Sequence, residues 1–178
     1  MTGLVPEFSR IVRIDQIPAQ GTELTIEAGP EERKALADRF ALVEISALQA
    51  RVSLRAIAGG TSFRMSAVIH ASLVQTCVVT LDPLPAKIEE PFSMTFGGDG
   101  EEDGGELDLS LDDEDPPEPV VDGGIDIGEA VAEHLALALP PFPRKPGTEY
   151  VAIEEDDPEP EKRPSPFAVL AKFHEKKR

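Results

Sequence analysis

Cysteine is nearly absent from this chain, and so are the other signatures that would assign it a chemistry. Cys77 is the single cysteine, so neither an intramolecular disulfide nor a cysteine-built zinc site can form within one chain. No run of residues approaches the roughly 18 apolar positions of a membrane-spanning helix. The opening MTGLVPEFSRIVRI lacks a basic segment followed by an apolar one, so the expected location is a reducing cytoplasm with no membrane contact. There is no Walker-type or GxGxxG loop and no GxSxG elbow, and His70, His134 and His174 fall on separate segments without ligand spacing. These absences predict a protein that is not an enzyme, with no catalytic residue, no metal site, no cofactor and no small-molecule substrate.

Positive charge is missing from one stretch altogether. The net charge is -17, yet residues 1–96 carry 11 acidic and 9 basic side chains, a net of -2. That part compacts without much self-repulsion. Residues 97–122 hold 12 acidic side chains and no Lys or Arg, and a second acidic patch, EEDDPEPE, spans 154–161. The stretch GGDGEEDGGELDLSLDDEDPPEPVVDGG cannot bury enough apolar surface to offset the entropy of ordering it, so a disordered acidic loop is expected over 97–122. It lacks the D-x-D-x-D-G-x5-E spacing of a calcium loop, which argues against a specific cation site. A solvated tether is the default role, and mimicry of nucleic-acid phosphates toward a basic partner is the alternative.

The stretch Phe63–Leu81 organises what remains. Phe63, Met65, Ala67, Ile69, Ala71 and Leu73 alternate with Arg64, Ser66, His70 and Ser72, the two-residue period of a strand with one buried face. Before it, Phe8–Ile14 and Glu23–Ala28 are shorter strand candidates. Gly29 and Pro30 open a helix whose Glu31 and Glu32 suit the positive end of the dipole, and which packs through Leu36 and Phe40 to end near Leu42. Ala50–Ala58 places Val52, Leu54 and Ala56 on one face and Arg51, Ser53 and Arg55 on the other, and Gly59 and Gly60 close a hairpin. Asp82, Pro83, Leu84 and Pro85 predict the next reversal, and Ile88, Phe92, Met94 and Phe96 alternate along the return strand. His70 is expected exposed on the polar phase, and Cys77 buried on the apolar one.

Ile125–Leu139 is the strongest helix signal: Asp126 and Glu129 have capping-box spacing, Ile127, Val131, Leu135 and Ala138 form the packing stripe, and Pro140 and Pro141 stop it. An extended arm, PFPRKPG, then presents Arg144 and Lys145 together. In the last segment Ser165 and Pro166 start a short helix. Its Phe167, Leu170 and Phe173 need a surface to dock on, because so short a helix is marginal alone. Lys172, Lys176, Lys177 and Arg178 crowd its C-terminal end, where the dipole favours cations. The predicted fold class is α+β: an antiparallel meander sheet with two or three packing helices and a long disordered acidic insertion. Residues 1–96 and 123–148 form one domain, 149–163 an acidic linker, and 164–178 the docking helix with its basic end.

The segments LVQTCVVTLDPLPAKIEEPFSMTF, DIGEAVAEHLALALPPFPRK and PSPFAVLAKF, in that order with an acidic spacer between the first two, resemble the YceD family of large ribosomal RNA subunit accumulation proteins. The resemblance covers roughly residues 45–175, and the PFAVLA tail is its most specific part. It implies a bacterial ribosome-biogenesis factor concerned with synthesis, processing or stability of 23S rRNA, without enzymatic activity. Many relatives carry a C-x-x-C pair near Cys77. Here Val74 stands where the first cysteine would be, so a zinc or redox role built on that pair is lost.

Two routes fit such a factor. Direct RNA contact needs positive charge at the contact surface, for which Arg144, Lys145, Lys172, Lys176, Lys177 and Arg178 are the candidates. Alternatively the acidic loop engages a basic ribosomal protein of the large-subunit precursor. The protein-mediated route is favoured, because the foldable half shows no basic stripe with interleaved aromatics. An acidic adaptor or chaperone for a basic protein unrelated to ribosomes is the alternative function.

Overall fold

A computed structural model of the chain describes residues 6–97 and 116–148. The chain divides into two units, 1–148 and 149–178, and every described residue belongs to the first. Its elements in order are β1 (Ile11–Arg13), β2 (Thr22–Glu27), α1 (Pro30–Arg39), β3 (Glu44–Ile57), β4 (Ser62–Thr76), β5 (Pro83–Gly97), β6 (Gly124–Asp126) and α2 (Ile127–Ala138). Strands β2, β3, β4 and β5 form an antiparallel four-stranded meander, and β1 pairs with β6 in a separate two-stranded ribbon. The fold is α+β, as the alternating and helical patterns imply.

The alternation in β4 is that of a strand buried on one side, with Phe63 through Leu73 at every second position inside. Register sets Leu54 opposite Met65 and Val52 opposite Ala67 on one side, and Met94 and Phe92 opposite the same two residues on the other. One continuous apolar face results. Helix α1 lies over β3, and α2 lies over β4 and β5, so both helices cover that same face. Burying Leu36, Val131 and Leu135 against it removes about 2 kcal/mol of apolar exposure per side chain. No described helix lies over the opposite face.

The helix starts follow local chemistry. The Glu32 carboxylate accepts from the Gly29 N–H at 2.7 Å. Asp126 caps α2 by accepting from Gly128 and Glu129 N–H at 3.1 and 3.2 Å. Gly59 and Gly60 take φ of +71° and +95°, the left-handed values their hairpin requires. Residues 8–10 run against the first turn of α2, where Ile127 N–H donates to the Arg10 carbonyl at 3.1 Å. A Cβ at Gly128 would stand 2.5 Å from the Phe8 carbonyl oxygen, so only glycine admits this approach.

Several boundaries differ from expectation. β3 begins at Glu44, not Ala50, with a register irregularity between Ile45 and Ala47 that lets an exposed Ser46 interrupt the alternation. β4 ends at Thr76, and the reversal occupies residues 77–82, with Leu81 at φ +61°. Pro83 and Pro85, read as turn formers, lie inside β5. β5 is an edge strand, so their missing N–H groups leave no ladder bond unmade. Residues 98–115 of the expected acidic loop, the linker 149–163 and the segment 164–178 lie outside the described residues. The loop's last part does not hang free of the sheet: Glu118 N–H donates to the Thr95 carbonyl at 2.8 Å and its carbonyl accepts from Gly97 at 3.0 Å.

Candidate functional site

Arg144 and Lys145 sit on an arm that folds back over the turn between β4 and β5. Gln75 Nε2 donates to the Pro140 carbonyl at 3.1 Å, and Val78 N–H donates to the Pro143 carbonyl at 2.9 Å. Lys145 N–H reaches Cys77 Sγ at 3.4 Å. The Lys145 ammonium then meets Asp82 Oδ2 at 3.1 Å. Hydrogen bonds from Lys145 and Thr80 hold the Asp82 carboxyl below its ordinary range. The two cations that look alike in sequence therefore differ: Lys145 is engaged within the turn, whereas Arg144 is exposed and has no partner among the described residues. Phe167, Leu170, Phe173, Lys172, Lys176, Lys177 and Arg178 lie outside the described residues.

Cys77 is fully buried, but it is the first residue of the turn and not part of the strand. Its sulfur accepts from the Thr80 amide at 3.5 Å as well as from Lys145. The Thr80 hydroxyl and amide and the Lys145 amide pull the thiol down to about 6, against the upward push of burial. The thiol is a hydrogen-bond acceptor that ties arm to turn, enclosed where solvent does not reach it.

On the helix side Arg10 and Arg39 are matched to carboxylates. Arg10 forms a two-pronged pair with Glu32 at 2.7 and 2.9 Å, which holds that carboxyl low, and its guanidinium stacks on Phe8 at 4.7 Å. Arg39 bridges Glu7 at 2.9 Å and Glu129 at 2.8 Å, joining α1 to both the N-terminal segment and α2. Beside them lies a groove of about 520 Å³ whose lining includes Glu118, Asp122, Asp126, Glu129 and Glu133, with Arg13 at one side. Glu129 Oε2 is buried and has no hydrogen-bond partner among the described residues. Burial and the neighbouring charges of Glu129 and Glu118 push the Glu133 carboxyl up. This groove has more negative charge than it can satisfy internally.

The uncovered sheet face is the reverse. Arg55 and Arg64 are register partners on β3 and β4, and Arg51 lies four residues back along β3. Arg51 and Arg55 are exposed, and neither has an acidic partner among the described residues. Register gathers these arginines across β3 and β4 with no phenylalanine, tyrosine or tryptophan among them, so the cluster is not the basic stripe with interleaved aromatics whose absence is expected from the sequence. The signal present in the sequence was Arg51, Ser53 and Arg55 on one phase; Arg64 joins them only through the pairing of β3 with β4. Along the next rows His70 is exposed, as expected, opposite Glu89. His134 on α2 instead stacks on Phe92, with ring centroids 3.8 Å apart.

These features define an α+β protein built on a four-stranded antiparallel meander, with both helices and an acidic groove on one side and arginines on the other. Residues 65–174, about three-fifths of the chain, match the family described as large ribosomal RNA subunit accumulation protein YceD, and the chain belongs to that family. The match begins in β4 and takes in β5, α2 and the arm, so its start lies later than the resemblance suggested. No curated protein and no solved structure matches the chain significantly.

Proposed function

We propose that this chain supports accumulation of the large ribosomal subunit by binding, without catalysis, to large-subunit precursors in the cytoplasm, and that it engages them through a basic ribosomal protein. Membership of the YceD family carries the first part. The carboxylate-lined groove supports the second. Glu129 and Glu133 repel each other across a partly desolvated surface, and a lysine or arginine from a partner relieves that repulsion. The twelve carboxylates of 97–122, Glu118 and Asp122 of the groove among them, add negative charge that speeds encounter with a cationic surface. No described helix is long and apolar enough to cross a membrane.

A tagged full chain purified from growing cells is expected to bring down large-subunit rRNA and ribosomal proteins; recovery of neither would overturn the reading. The route has its own test. Glu118 and Gly97 are held at the sheet end, so removing residues 98–115 leaves the described unit intact. That deletion combined with Glu133→Gln is expected to reduce capture of basic ribosomal proteins several-fold, with circular dichroism unchanged. Undiminished capture rules out the acidic route.

A further inference from the structure

We propose that the uncovered face of the sheet is a sequence-independent seat for the phosphates of single-stranded RNA, held by Arg51, Arg55 and Arg64. The inference rests on the reading that the chain works on large-subunit precursors, and it adds a second, nucleic-acid contact on the side opposite the acidic groove.

Three cross-strand rows build the surface. Glu23, Ser53, Ser66 and Ser93 align in one, and Thr25, Arg51, Val68 and Pro91 in the next. These eight residues surround a hollow of about 540 Å³ on the open face, and all but Thr25 line it. The third row, Arg55, Arg64 and Thr95, borders the serine row on its other side. The serine hydroxyls are thus flanked by guanidinium groups, with Glu23 the one carboxylate in the lining. Of the other acids of this face, Glu27 and Glu89 share a row with Gln49 and His70 and Glu44 lies opposite Val74 at the start of β3, so charge changes sign along the sheet.

Guanidinium forks bind phosphate oxygens in pairs, and serine hydroxyls donate to them singly. On the helix side Arg10 and Arg39 are each matched to carboxylates of this chain. Arg51 and Arg55 are not, although acidic residues outnumber basic ones two to one. Four residues of strand separate them, about 13 Å at roughly 3.3 Å per residue, which is the rise of about four nucleotides in a stacked strand. Phe63, Phe92 and Phe96 all point into the core side, so among the described residues His70 is the one aromatic ring on this face, two rows from the serines, and base stacking adds little there. Contacts of this kind position a strand and do not read its bases. Val68 and Pro91, in the row of Arg51, give the sugars an apolar floor.

The test is fluorescence anisotropy of the full chain with a labelled oligouridine of about a dozen nucleotides at low salt. Binding is expected to weaken with a log–log salt slope near -2, about -0.7 for each of three phosphate contacts. Arg51→Gln and Arg55→Gln are each expected to weaken it about threefold or more and to reduce the slope by about 0.7. Lys34→Gln removes one charge from α1, on the far side, and is expected to change affinity less than twofold. Absence of salt-dependent binding, equal weakening by Lys34→Gln, or tighter binding of an oligoglutamate of matched charge would overturn the proposal, the last in favour of an acidic peptide. If the arginine variants are without effect on the oligonucleotide while the tagged chain still brings down large-subunit precursors, this inference falls and the proposed function stands.

Discussion

At Gly128 a missing side chain decides how two parts of the chain meet. The first turn of α2 presses on the backbone of residues 8–10, and a methyl group there would stand 2.5 Å from one backbone oxygen and 2.8 Å from the Arg10 nitrogen. Neither atom is the end of a flexible side chain, so the segment must move. Gly128→Ala is expected to cost about 2 kcal/mol or more, the scale of overpacking a fitted core, although alanine favours the helix itself. Urea unfolding measures it; an unchanged or raised midpoint would show that the segment yields freely. The sequence marks the cap at Asp126, but nothing in it marks the approach of Phe8, which lies 120 residues away. Cys77 shows the same limit, since its burial was legible while its position in the turn came from where β4 stops.

The strands of the meander are joined by long ladders, whereas the N-terminal segment and the helices are joined by paired side chains. The N-terminal segment is tied to α1 through Arg10 and Glu32 and to α2 through Asp126, which accepts from the Arg10 N–H at 2.8 Å. The Arg10–Glu32 pair is about one-third exposed, so solvent screening keeps its contribution near 1 kcal/mol. A double-mutant cycle with Arg10→Gln and Glu32→Gln is expected to give a coupling energy of about 1 kcal/mol that shrinks with added salt. A coupling indistinguishable from zero would assign the docking of this segment to Phe8 and the hydrogen bonds with Asp126 and Ile127. The edge strand β5 teaches a different lesson about elements. Pro83 and Pro85 look like turn signals in the sequence, yet with Pro91 they guard the outer edge of a strand that pairs with no other described strand over most of its length.

For the molecule as a whole, stability and charge are set by different residues in different pH ranges. Burial lowers the pKa of His134 beneath Phe92, with the charge of Glu90 opposing. Between that lowered value and about 6.5 the unfolded chain binds more protons, so stability falls as pH drops through this window. His134→Leu is expected to flatten that part of a urea-midpoint profile. The loss below about 4.5 is expected to remain, because Glu7, Glu32 and Asp82 have lowered pKa values and lose their partners on protonation there. An unaltered profile in the variant would show that the histidine is solvated. By itself the sequence determined the α+β class, the buried phase of each long strand, both helix starts and the segregation of acid, because these depend on neighbours along the chain. Only the tertiary structure decided that both helices share one face, that Lys145 is engaged by Asp82 while Arg144 is not, and that Arg51, Arg55 and Arg64 assemble across two strands. Each of those follows from register and packing between residues distant in sequence, whose periodicity records which side a residue faces and is silent about what it meets there.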